Sequence, residues 1–162
     1  MERLKIVLAS LVVLALLSVA WRSAARSLMS HEDRIRSRLE EMVEGFQGGV
    51  VRRVLSNFHE EYRDEGTGYD RDDVREALQG LFFNFGADRA RYTLEIPEAE
   101  LVIAVAESED EARVTLRAVF HRERRGERKP WWDARAVLHW TRDDGRWEIL
   151  RTSEVNHRER SR

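Results

Sequence analysis

WWDARAVLHWTRDDGRWEIL, residues 131–150, decides the fold. Ala134, Ala136, Leu138 and Trp140 alternate with Asp133, Arg135, Val137 and His139, the period of two of a strand with one buried face. Asp144-Gly145 is a tight-turn pair, and Trp147 and Ile149 resume the alternation beyond it. This is a hairpin whose apolar side needs a core. Upstream, Val114, Leu116, Ala118 and Phe120 form a strand whose alternates Arg113, Thr115, Arg117 and His121 are polar. Tyr92, Leu94 and Ile96 precede Pro97, with Leu101, Ile103 and Val105 after it; the proline marks an edge, a bend or a strand break.

Ahead of the strands the period lengthens to that of helices. Ser30 with Asp33 three residues on reads as a capping box. Ile35, Leu39, Met42, Val43 and Phe46 then lie on one helical face, and Gly45, Gly48 and Gly49 are expected to end that helix. A shorter helix follows, with Val50, Val51, Val54, Leu55 and Phe58 on its buried side, and Glu60 to Arg63 suffice for a short strand. The third helix is capped by Asp70, carries Val74, Ala77, Leu78, Leu81, Phe82 and Phe85 on one stripe, and is expected to close at Gly86. Helices followed by a run of antiparallel strands predict an α+β fold: three helices on one face of a strongly curved antiparallel sheet.

The 162 residues allow one domain plus a short appendage. With 28 basic against 30 acidic residues the formal charge is −2, which argues against nucleic acid as the main partner. All basic residues but Lys5 and Lys129 are Arg, a skew that GC-rich codons explain. Cysteine is absent, so disulfides, thiolate metal sites and cysteine nucleophiles are excluded.

Ile6 to Ala20 read IVLASLVVLALLSVA, without a charge and preceded by Arg3 and Lys5. As a helix this run is roughly 22 Å long, and Leu4 and Trp21 extend it to about the minimum for a bilayer. Two readings stand: a single-pass anchor, favoured by Arg22 and Arg26 behind it, or a secretory signal cleaved after Ser18-Val19-Ala20. Arginines after the run favour a cytoplasmic carboxyl side by count, but short basic amino termini stay inside, so the domain is placed outward. The expected layout is an anchor or signal over 1–21, a linker over 22–30, one domain over 31–156 and a disordered tail over 157–162.

The order of elements resembles the nuclear transport factor 2-like superfamily, the cystatin-like cone shared with ketosteroid isomerases and SnoaL-type cyclases. The resemblance rests on residues 131–150 and on LSNFHEEYRDEGTGYDRDDVREAL, residues 55–78, which is similar to the family's loop into its third helix. It implies a concave pocket, and in the family's enzymes an Asp or His base there with a Tyr or acid to stabilise an enolate. One anchor before such a domain is also similar in layout to assembly subunits of type IV secretion machines, whose motifs are lacking here.

The concave positions read from the alternation are apolar and supply no base, so no catalytic residue is assigned. The expected ligand pocket is Phe58, Tyr62, Phe82, Phe85 and Trp140, with Arg151 as the anchor for an anionic group. A slip of one residue would turn His121 and His139 inward. The five histidines show neither HxH nor HExxH spacing, so no metal and no cofactor is expected. Trp131 and Trp132 fall on opposite faces of one strand, which leaves one of them for a partner surface. HRERRGERK, residues 121–129, reads as a solvated hairpin tip, with a lipid or protein contact as the alternative. The function these readings favour is a membrane-tethered, non-catalytic binding or assembly module of the bacterial inner membrane with a periplasmic domain. Its expected partners are the bilayer, a protein or second copy through the sheet, and a small apolar ligand. A secreted protein and a small-molecule isomerase, cyclase or dehydratase-like enzyme are the alternatives.

Overall fold

The computed structural model describes residues 29–88, 90–124 and 126–158, without the side chains of 84–88, 90 and 154–158. The apolar segment 4–21 lies outside the described residues, among which no helix is long and apolar enough to cross a membrane. Among the described residues three α-helices and six strands follow in order: α1 His31–Gln47, α2 Val51–Leu55, β1 Phe58–Asp64, α3 Arg71–Asp88, β2 Ala90–Glu95, β3 Val102–Val105, β4 Glu111–Arg124, β5 Glu127–Asp143 and β6 Arg146–Arg158. A 3-10 turn, Glu98–Glu100, stands between β2 and β3.

The helix starts follow from local chemistry. The Ser30 hydroxyl oxygen accepts the Asp33 N–H at 3.1 Å and donates to the Asp33 carboxylate at 2.7 Å. At α3, one Asp70 oxygen accepts the N–H groups of Asp72 (2.8 Å) and Asp73 (3.1 Å), while Asp73 accepts the Asp70 N–H at 2.9 Å. Those amides, Asp73 first and then Asp72, hold the Asp70 carboxyl below its ordinary pKa. α1 runs through Gly45 but stops at Gln47, so Gly48 and Gly49 end it as expected, whereas α3 passes Gly86 to reach Asp88. Gly45 is no terminator: a Cβ there would stand 3.0 Å from Arg53 Cβ and 3.1 Å from the Val54 nitrogen. It lets α2 lie directly on α1.

The strands form one sheet in the order β1-β6-β5-β4-β2, with β3 also on β4. β2 pairs with Val119–Arg124 and β3 with Ala112–Thr115, so both occupy the same edge of β4 on either side of the break at Pro97. The expectation of a wholly antiparallel sheet is corrected at β1, which pairs with β6 in parallel. Phe58, expected on the second helix, is the first residue of that strand. Alternation reports which face of a strand is buried, but not the direction of a neighbour arriving from a distant part of the chain.

α1 packs on β2, β3 and β6, and α3 on β1 and β2. The core divides in two. One cluster joins Ile35, Leu39, Tyr62, Val114, Leu116, Leu138, Trp140, Trp147 and Ile149. The other joins Phe46, Val54, Leu55, Leu78, Tyr92 and Leu94, with Phe82 half-buried against it. Leu138 is buried while His139 is half-exposed, so the hairpin faces the way its alternation predicts.

Bulges interrupt that alternation, one of them between Arg135 and Val137, where β6 carries an extra residue against β5. Phe120 pairs with Trp132 and His121 with Pro130, which leaves Trp131 without an opposite residue. Likewise Trp140 pairs with Ile149 and His139 with Arg151, leaving Leu150 as the extra residue. Each insertion re-aims the side chains beside it. The last strand continues through His157 to Arg158, beyond the expected start of the tail.

The chain joins the domain at one end. His31 Nε2 lies 3.4 Å from a Glu109 carboxylate oxygen in the β3–β4 turn, and its ring meets Trp147 edge-on at 5.8 Å, just past the β5–β6 turn. α1 then runs toward the opposite end, where Gln47 donates to the Leu94 carbonyl at 3.2 Å. The β4–β5 hairpin, turning at Gly126 (φ 81°), closes that far end.

Candidate functional site

Of the six residues expected to line a pocket, three meet inside the sheet. Phe58 and Tyr62 are edge-to-face at 4.8 Å, two turns of alternation apart on β1, and both pack in the cluster that holds Trp140. Phe58 also touches the second cluster, where Phe82 lies edge-on to Phe46 at 5.5 Å. Phe85 is on α3, its side chain outside the described set. Arg151 stands apart, exposed and paired with Glu65 at 3.2 Å. The Leu150 bulge is the reason: it seats Arg151 opposite His139 on the outer face and puts Thr152 opposite Leu138 on the inner one.

Thr152 thereby meets Tyr62, whose phenol oxygen lies 2.9 Å from Oγ1 in a buried hydroxyl pair. Burial chiefly, with a contribution from Asp64, raises the Tyr62 pKa, although the Thr152 bond pulls the other way. Because the folded pKa is raised, the corresponding stability is fully present below about pH 10 and is lost as pH rises through the folded value. Tyr62→Phe is expected to lose about 1–2 kcal/mol, since it also strands the Thr152 hydroxyl, and to flatten that alkaline slope. Urea unfolding at pH 8 and at pH 10.5 checks both effects. An unchanged slope in the variant would assign it elsewhere.

The ionisable groups nearest in sequence to the core are engaged outside it. Asp133 holds Arg117 through two bonds of 2.9 and 2.6 Å, and Arg117 also donates to Glu100 at 2.7 Å. Arg135 reaches the other Glu100 oxygen at 3.1 Å. The bonds from Arg117 first, and then from Arg135, hold the Glu100 carboxyl below its ordinary pKa. His139 Nε2 lies 2.9 Å from Ser153 Oγ, and His121 Nδ1 lies 3.0 Å from Arg128. Burial and then the Arg128 charge lower the His121 pKa. Among the described residues no group of three or more His, Asp or Glu is arranged to hold a metal.

At the far end an aromatic rim assembles that the alternation did not foretell. Phe46 meets Phe120 edge-on at 5.4 Å, and Phe120 meets Trp132 at 4.8 Å. Trp131, expected on the opposite face from Trp132, is turned by its bulge onto Tyr92, ring centres 5.1 Å apart. It stays half-exposed, while Tyr92 is buried. Tyr92, Arg122 and Lys129 are cross-strand neighbours in one row, with the Arg122 guanidinium 5.9 Å above the Tyr92 ring. The sequence shows these residue types but not the inserted residue that unites them.

No protein-family model matches the sequence, and no curated protein does. Solved structures do match in fold. An ntf2-like protein with a cystatin-like fold from Novosphingobium aromaticivorans superposes with a TM-score of 0.61 at 17% identity, over 80% of this chain and 84% of its own. ActVI-ORFA from Streptomyces coelicolor gives 0.64 at 12% identity, over 78% and 93%. Aln2 from a Streptomyces species gives 0.66 at 9% identity, over 77% and 88%. Identities this low establish the fold alone.

Proposed function

We propose that this chain, which has the cystatin-like fold of ntf2-like proteins, is a membrane-tethered, non-catalytic binding module of a bacterial envelope. The supporting observation is the inner face of the sheet. Its polar pair, Tyr62 and Thr152, is spent on itself, and Asp133, His121 and His139 are held by Arg117, Arg128 and Ser153. Proton transfer needs a base within hydrogen-bond reach of a substrate. The tether is residues 4–21, read from their apolar composition, with the domain in the periplasm and the protein in the inner membrane. A protein partner or a second copy meets the outer sheet, where Val102 on β3 is exposed.

A second reading, a small-molecule isomerase, cyclase or dehydratase-like enzyme, is favoured by one feature. Burial raises the Tyr62 pKa, so the phenol stays protonated and could donate a hydrogen bond to a developing oxyanion.

Fractionation of a bacterial host expressing the full chain tests the tether. The protein is expected in the membrane pellet after a carbonate wash, and a chain lacking residues 1–21 in the supernatant. A shortened soluble product beginning near Trp21 would instead establish a cleaved signal. For the binding role, compounds that raise the melting temperature are expected to be recovered chemically unchanged after prolonged incubation. Conversion that Tyr62→Phe abolishes would decide for the enzyme.

A further inference from the structure

We infer that the rim is a recognition site for a small anionic molecule with an apolar ring, gripped by Trp131, which backs onto the buried Tyr92, and by the Arg122 and Lys129 cations. This deepens the binding-module reading, on which it rests, by naming the class of ligand.

The bulge at Trp131 carries the argument. In an unbroken strand Trp131 would share the outer face with Asp133 and Arg135. With the extra residue it packs instead on Tyr92, whose neighbours across β4 and β5 are Arg122 and Lys129. The next row inward, Leu94, Phe120 and Trp132, is apolar. Two rows on one face therefore pass from apolar to cationic within two residues along β2 and β4, with a half-exposed indole at their junction. A flat ring lying against Trp131 and pointing inward would place a substituent at its outer end between two cations. A carboxylate or phosphate there gains charge-assisted bonds that an uncharged group cannot match. Lys129 already faces a carboxylate, Glu127, at 3.1 Å, so the site holds an anion of the chain's own that a ligand would replace. Arg122, stacked over Tyr92, is kept in register for the exchange. Arg151, the anchor expected from sequence, is on the outer face, and this pair takes that role.

Calorimetric titration of the full chain in a nonionic detergent, with blank micelles subtracted, tests the assignment with 2-naphthoate and its uncharged counterpart 2-naphthamide. Naphthoate is expected to bind at least tenfold tighter than the amide. The double variant Arg122→Gln, Lys129→Gln should bring naphthoate down to the affinity of the amide and leave the amide unchanged. Trp131→Ala should weaken both compounds. Circular dichroism and melting temperature close to those of the parent will show that the variants fold. Equal affinity for acid and amide, a preference that survives the double variant, or no heat from either compound would overturn the site. None of these would touch the tether, which the fractionation judges on its own, and conversion of a bound compound would revise the binding-module reading without moving the acid-over-amide preference.

Discussion

Trp147→Ala is expected to lower the free energy of unfolding by about 3–5 kcal/mol, a fall of roughly 10–20 °C in melting temperature for a domain of this size. Trp147 is 1% exposed and packs where α1 begins, with His31 against its edge and the Arg142 guanidinium 6.0 Å from its ring. Truncation leaves a cavity between β6 and the first turn of α1, and neither backbone can collapse into it without breaking sheet or helix bonds. Trp147→Phe should behave quite differently. The indole N–H is buried with no hydrogen-bond partner among the described residues, so phenylalanine gives up ring volume but no bond, at about 1 kcal/mol. Denaturant titration of the two variants separates the contributions. Equal losses would mean that the N–H holds a bond after all.

Gly45→Leu is expected to cost about 3 kcal/mol, through crowding instead of a void. The nearest obstacles to a side chain are Arg53 Cβ, Arg53 Cγ and the Val54 backbone nitrogen, at 3.0, 3.1 and 3.1 Å. The last is main chain and cannot swing aside, so α2 must lift from α1 and carry Val54 and Leu55 out of the second cluster. Gly45→Ala should be nearly neutral. Its gain in helix propensity, about 1 kcal/mol, offsets a displacement of a few tenths of an ångström. Thermal melts of the pair check the ranking; a Leu variant as stable as the Ala variant would show that α2 moves freely.

What could be read in advance was whatever depends on near neighbours. The Ser30 cap, the break at Pro97, the turn at Asp144-Gly145 and the burial of Leu138 against His139 all follow from residues within a few positions of each other. What escaped depends on partners far along the chain. The parallel pairing of β1 with β6 joins segments about ninety residues apart, as Phe58 opposite Ile149 illustrates. The Gly45 contact is invisible until α2 folds back on α1. The candidate site suffered most from the bulges, since a single inserted residue reverses every facing assignment beyond it. Unbroken alternation points Arg151 inward and separates Trp131 from Trp132 onto opposite faces, and the extra residues Leu150 and Trp131 break that alternation. Tyr62 and Trp140 reach the core as read although register shifts flank both, because each keeps its apolar neighbour, Phe58 and Ile149 respectively, on the same face.

The junction of α1 with the turns at 106–110 and 144–145 has a consequence for supply. β5 alone counts 17 residues, about 55 Å of extended chain, between the turn beside His31 and the hairpin that bears Lys129 and Trp131. A tether running through residues 4–21 would hold the domain by one pole and lift the rim toward the other, away from the headgroups. Cargo would then arrive by aqueous diffusion, and molecules creeping sideways through the lipid would pass beneath the rim. A tether of that kind would select for solutes that stay dissolved in water, as a carboxylate on an apolar ring does.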